Sequence, residues 1–237
     1  MNEPSLLTDV LFIAIVVLVA AFYATAILRT TDAAEPASST SGLDLAALVL
    51  ALWLVAPGAL AGLGLLDRYN PLPAPGLIVV LVVTIGTVAL ARSRAGERLA
   101  TGLPLAVLVG YQVFRVPLEW LLHRLHLEGV IPVEMTYAGR NFDIVTGLTA
   151  AVLSVAIVKG CAPRLLVLAW NFLGLALLLI IVTIAVLATP TPFQVFTDGP
   201  PNLLPSMLPY VWLPTVLVQA ALLGHLLVFR ALKQPRS

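Results

Sequence analysis

Five polar residues, Gln112, Arg115, Glu119, His123 and His126, interrupt an otherwise apolar run and carry the most distinctive chemistry in the chain. On a helix they share an arc of about 80° and rise roughly 21 Å along the axis. Val113, Pro117 and Leu121 lie across from them. A charge at membrane depth costs about 2.5–3.5 kcal/mol unless it is paired or hydrated. Arg115 and Glu119 are spaced to pair along the helix, although Arg before Glu is the weaker order. Such a pair leaves guanidinium donors for a second acid, a carbonyl, water or a ligand. Pro117 cannot donate to the Val113 carbonyl, which predicts a kink there. The stripe reads either as a structural ion pair between helices or as a site for a small polar or anionic molecule.

Downstream, Asn141 or Asp143 is placed to cap the next helix. The first amides of that helix, with Arg140 beside them, would form an anion-binding corner; capping alone accounts for Asp143 equally well. The predicted ligand-binding set is therefore Arg115, Glu119, Arg140, Asn141, Asp143, His123 and Gln112. Glu119, His123 and His126 also offer one oxygen and two nitrogens on one helix face, a potential zinc or iron site. The third histidine, His225, falls roughly 25 Å into the last span, far from the other two. It is expected to pair with Asn171 at similar depth. A bis-histidine haem is disfavoured by those depths, and a di-iron bundle by the missing second Glu-x-x-His motif. Retinal is excluded, because both lysines, Lys159 and Lys233, stand at inner span ends and neither sits mid-span to form a Schiff base. No residue set for covalent catalysis stands out.

The elements that must position these groups follow from composition. The 237 residues are 60% hydrophobic and 11% charged, with mean hydropathy +1.02. Soluble domains are roughly 45–50% apolar and about 25% charged. Those proportions exclude a soluble enzyme, a disordered chain and, with a net charge of +1, a nucleic-acid-binding domain. The single cysteine, Cys161, excludes a disulfide framework. The reading is an all-α, polytopic transmembrane bundle forming one domain over residues 1–237, with the lipid bilayer as its partner. Seven spans are predicted at 6–28, 43–66, 77–91, 103–127, 143–159, 165–188 and 208–232, with the third and fifth short. The first lacks a basic leader and reads as a span, not a cleaved signal peptide. Segments 29–41 and 92–102 read as polar loops, and 190–209 as a proline-rich loop that either folds over the mouth of the bundle or is a simple polar outer loop. With the N-terminus outside, nine Lys/Arg fall inside and three outside, which predicts N-out, C-in.

Met135-Thr136, Gly139, Asn141-Phe142-Asp143-Ile144 and Thr146-Gly147, within 132–150, resemble a segment of uncharacterised bacterial multi-pass membrane proteins. Weaker echoes occur at 115–119 and 209–214. The resemblance implies a bacterial inner-membrane protein and carries no activity. Glu119, His123 and His126 also loosely resemble the metal set of seven-helix membrane hydrolases of the ceramidase and adiponectin-receptor type, but His225 departs from that pattern. Three functions follow as expectations. The first is binding or transport of a small polar or anionic molecule. The second is a metal-dependent membrane enzyme acting on a lipid-like substrate. The third is an assembly partner of another membrane protein.

Overall fold

The computed structural model describes residues 2–32, 40–70 and 72–233. Described residues are helical or irregular. The helices are α1 (Leu6–Asp32), α2 (Thr40–Gly62), α3 (Pro75–Arg92), α4 (Arg94–Gly102), α5 (Leu105–Gly110), α6 (Arg115–Leu127), α7 (Ile144–Val158), α8 (Arg164–Ala188) and α9 (Val218–Lys233). Five helical segments are long and apolar enough to cross a membrane: Leu6–Thr30, Pro75–Arg92, Leu105–Leu127, Arg164–Ala188 and Leu213–Lys233. Two shorter apolar helices, Ala47–Gly62 and Ile144–Val158, fall on the second and fifth predicted spans. Large apolar side chains cover the outside, with Leu18 at 69%, Val152 at 72% and Leu179 at 67% exposure. Water would not tolerate that much contiguous apolar surface, so the chain is a membrane protein.

The bundle has two ends, named here for Glu128 and Arg98. At the Glu128 end, Gly129 adopts φ +74° and stops α6. Gly129 N–H donates to His126 O at 2.8 Å and Val130 N–H to Leu125 O at 2.9 Å, the paired bonds of a glycine-terminated helix. The start of α1 is fastened there. Ser5 N–H and Oγ donate to the Glu128 carboxylate at 3.0 and 2.7 Å, Thr8 Oγ1 at 2.7 Å and Arg124 Nε at 3.1 Å. Burial alone would raise the Glu128 carboxyl, but these donors outweigh it and hold it below the usual carboxylate range. At the Arg98 end, Arg230 on α9 donates to the Ala91 and Ser93 carbonyls at 2.8 and 2.7 Å. It thereby covers acceptors that the end of α3 leaves unpaired.

Two predicted loops depart from expectation. Within 92–102, residues Arg94–Gly102 form α4, started by Ser93 Oγ accepting from Gly96 N–H at 3.3 Å. Leu99 and Ala100 are buried, while Arg94, Glu97 and Arg98 are exposed. The segment lies along the bundle because its charges occupy one face. The predicted loop 29–41 begins with the last turn of α1, and residues 33–39 lie outside the described set.

Helix α7, at the fifth predicted span, is short for a physical reason. The loop between α6 and α7 turns back into the bundle, burying Ile131, Met135, Thr136 and Asn141. Irregular backbone at membrane depth persists only where protein encloses it. Here the loop bonds to itself, with Asn141 N–H donating to Thr136 O at 3.1 Å and Gly139 N–H to the same oxygen at 2.9 Å. Consequently α7 starts beside Arg115. Gly147 lies against Arg115 and Val116, and Ser154 against Gly110. Bulkier residues at these glycines would separate the helices.

Candidate functional site

The fourth apolar segment is broken where Pro117 predicts. Helix α5 ends at Gly110, Tyr111–Phe114 form a 3-10 turn, and α6 begins at Arg115. Helix α6 has 13 residues, which places Arg115 roughly 18 Å from its far end. Arg115 is fully buried. Its Nη1 donates to Asp143 Oδ1 at 2.9 Å, while its Nε and Nη2 have no hydrogen-bond partner. The ion pair therefore joins two helices, and the predicted Arg115–Glu119 pair along α6 is replaced. Glu119 instead faces Asn141, whose Nδ2 donates to Glu119 Oε2 at 2.5 Å and to Met135 O at 3.1 Å. Asn141 Oδ1 accepts the Asp143 N–H at 3.0 Å. Capping is thus divided: Asn141 takes the backbone donor, and the Asp143 side chain is free for Arg115. Thr146 Oγ1 also donates to Asp143 Oδ1, at 3.3 Å.

Arg115, Glu119 and Asp143 are among the residues that line a cavity of about 90 Å³. Its remaining walls are largely apolar, with Leu178, Ile181 and Leu217 among them. Thr189, Asn202 and Leu204, from the segment after α8, close another side. Asn202 Nδ2 donates to Ala185 O at 3.0 Å and anchors that segment to α8. The proline-rich loop thus supplies cavity wall. Ligand pockets for drug-sized molecules occupy roughly 300–1,000 Å³; this one admits a few waters or a very small solute.

Four predicted residues, Arg115, Glu119, Asn141 and Asp143, come together. Gln112 lies one turn earlier, with Nε2 donating to Ala221 O at 3.0 Å and Oε1 unpartnered. Arg140 stands apart: it is exposed, with its guanidinium 5.5 Å from the Phe196 ring centre, and it is not among the lining residues. His123 packs on Tyr137 at 4.6 Å, and His126 Nδ1 contacts Ile131 O at 3.2 Å. Among the described residues, no three His, Cys, Asp or Glu side chains are grouped as metal ligands. Glu119 is engaged with Asn141 and His126 Nδ1 with Ile131 O, so among the described residues the predicted metal set is not grouped. The His225–Asn171 pair forms as expected: Asn171 Nδ2 donates to His225 O at 3.0 Å, and His225 Nδ1 lies 2.8 Å from Asn171 Oδ1. Sequence reasoning did not select Met135, Thr189 or Thr146 for the site. Met135 and Thr146 lay inside the quoted 132–150 segment, but nothing in the local pattern reveals that it turns inward.

Fold and site together define an integral membrane helix bundle with a buried, charged polar site. The chain belongs to the family described as a domain of unknown function, DUF8737, whose profile matches residues 72–233. No curated protein and no solved structure matches it. The Arg115 cavity is lined entirely from within the matched region.

Proposed function

We propose that the chain crosses a bacterial inner membrane seven times, N-terminus outside, and binds a small anionic molecule at Arg115 as the first step in moving it across. The observation that carries this reading is the pair of unpartnered donors, Nε and Nη2, on the fully buried guanidinium of Arg115, a residue that lines a cavity. Buried donors without acceptors cost about 1–3 kcal/mol or more, and a carboxylate or phosphate oxygen would satisfy them. Charge adds a second feature. Asp143 already balances Arg115, and Glu119 is a second acid in the same cavity. An anion therefore enters favourably only when a proton accompanies it, and Glu119 is the group placed to take that proton. The topology rests on the Lys/Arg asymmetry and on the two short apolar helices at the second and fifth positions.

The test uses purified protein in lipid nanodiscs, titrated with acetate, lactate and inorganic phosphate below and above neutral pH. At least one probe should bind, more tightly at the lower pH and with proton uptake. The balanced variant R115M/D143N removes both charges together, preserves neutrality and should abolish binding. Undiminished binding by that variant, or binding of none of the three probes, would overturn the assignment.

A further inference from the structure

A larger cavity, about 370 Å³, lies toward the Arg98 end, lined from α1, α2, α3, α4 and α9 with Arg98 among its residues. Its neutral polar side chains are committed to the protein. Thr87 Oγ1 donates to Gln219 Oε1 at 3.0 Å, Gln219 Nε2 to Pro214 O at 2.9 Å and Trp53 Nε1 to Thr215 O at 2.6 Å. Among the described residues, no buried side-chain atom without a hydrogen-bond partner belongs to a residue lining it. That cavity specifies no occupant. The Arg115 cavity does, through the shape of what it leaves unpaired.

A guanidinium is a rigid planar fork. Asp143 Oδ1 takes Nη1 at 2.9 Å. The two nitrogens left over, Nε and Nη2, share one edge of the plane, and their N–H bonds run parallel. Such an edge matches the two oxygens of one carboxylate, whereas chloride or a single water oxygen satisfies it incompletely. Charge narrows the class further. Arg115 and Asp143 cancel, and one proton on Glu119 offsets one incoming negative charge. A dianion would leave an excess charge in an apolar surround. The neutral polar side chains on the walls are already spent. Thr189 Oγ1 donates to Ala185 O at 2.8 Å, Asn202 Nδ2 to the same oxygen at 3.0 Å, and Asn202 Oδ1 accepts Leu204 N–H at 3.3 Å. A second carboxylate, or the further oxygens of a phosphate, would find no neutral side-chain donor there. Leu178, Ile181, Val182 and Leu217 instead offer aliphatic wall. A volume of about 90 Å³ is several times the roughly 10–15 Å³ that one water needs, so the tail must be short. We propose that the anion taken at Arg115 is a short-chain aliphatic monocarboxylate of the acetate-to-butyrate class, with its two oxygens on Nε and Nη2 and its tail against the aliphatic walls. The proposal rests on the Arg115 reading and narrows it.

The test is calorimetric titration of the full-length protein in lipid nanodiscs below neutral pH with acetate, propionate, butyrate, hexanoate, succinate and inorganic phosphate. Nanodiscs carrying R115M/D143N supply the background from partition into lipid. Propionate or butyrate should bind about tenfold tighter than succinate or phosphate, the size of effect that one unpaired buried polar group brings. Hexanoate should bind several-fold more weakly than butyrate, because its tail exceeds the space. R115K keeps a positive charge opposite Asp143 but presents no paired edge, and should weaken propionate several-fold. The series on the unmodified protein decides the matter if R115K fails to fold. Succinate or phosphate binding as tightly as propionate, hexanoate binding as tightly as butyrate, or undiminished propionate binding by folded R115K would overturn this proposal and leave the Arg115 reading standing. Binding of no anion in the series would overturn both.

Discussion

The Arg115 and Arg98 cavities invert each other. The first is about 90 Å³ and is lined by Arg115, whose fully buried guanidinium has two unpartnered nitrogens. The second is about four times larger, at 370 Å³ against 90 Å³, and its wall groups are bonded to the protein. In a membrane interior, unfilled hydrogen-bonding capacity decides what a hollow holds more than volume does, because an unpaired polar group there has no water to turn to. The two also differ in origin. The Arg115 cavity lies wholly within the family region, whereas the second is completed by α1 and α2, which precede residue 72.

Substitutions at Arg115 should break this contrast most strongly. R115M alone leaves Asp143 buried opposite no cation, and loss of one partner of a buried pair costs about 3–5 kcal/mol. A large fall in melting temperature in detergent is expected, mostly recovered in R115M/D143N. Equal melting of the single and double variants would show that the pair does not hold α6 to α7. Next comes the packing that separates the two regions. A side chain at Gly224 would run into Tyr111 Oη and the Gln112 amide, so G224A should destabilise by about 1–3 kcal/mol through overpacking. Unchanged stability would mean that this contact is loose.

A smaller effect is expected at the Glu128 clasp. Its carboxyl is held below the usual range in the fold, so its contribution is present above the unfolded value and is lost as pH falls through the folded one. E128Q should therefore melt below the unmodified protein near neutral pH, with the difference shrinking in acid. A difference that grows in acid would contradict the bonds described for Ser5, Thr8 and Arg124. Smallest of all, H123A and H126A should leave metal content and small-anion binding as they were. A bound zinc or iron lost in either variant, read by elemental analysis, would reinstate these histidines as ligands.

Much of the site was legible because burying a charge in an apolar helix is costly enough to mark the residue by itself. Arg115 and Glu119 stood out on those grounds, as did the break near Pro117, where a backbone donor is missing. The Asn171–His225 pair was also readable, from matched depth. Partner choice was not. Asp143 could serve as a helix cap or as a counterion, and local spacing favours neither. Asn141 took the cap, and α7 was brought beside α6 by Gly147, which left Asp143 for Arg115.

Composition and periodicity by themselves established an apolar helical membrane protein with an ionic group inside, since hydrophobic burial and backbone pairing act along the chain and can be summed residue by residue. Only the tertiary structure decided that 128–143 turns inward, that Arg140 stays outside, and that unpartnered donors belong to a residue lining one cavity and to none lining the other. Those outcomes depend on which helix surfaces meet, and contacts between segments distant in sequence leave no local trace.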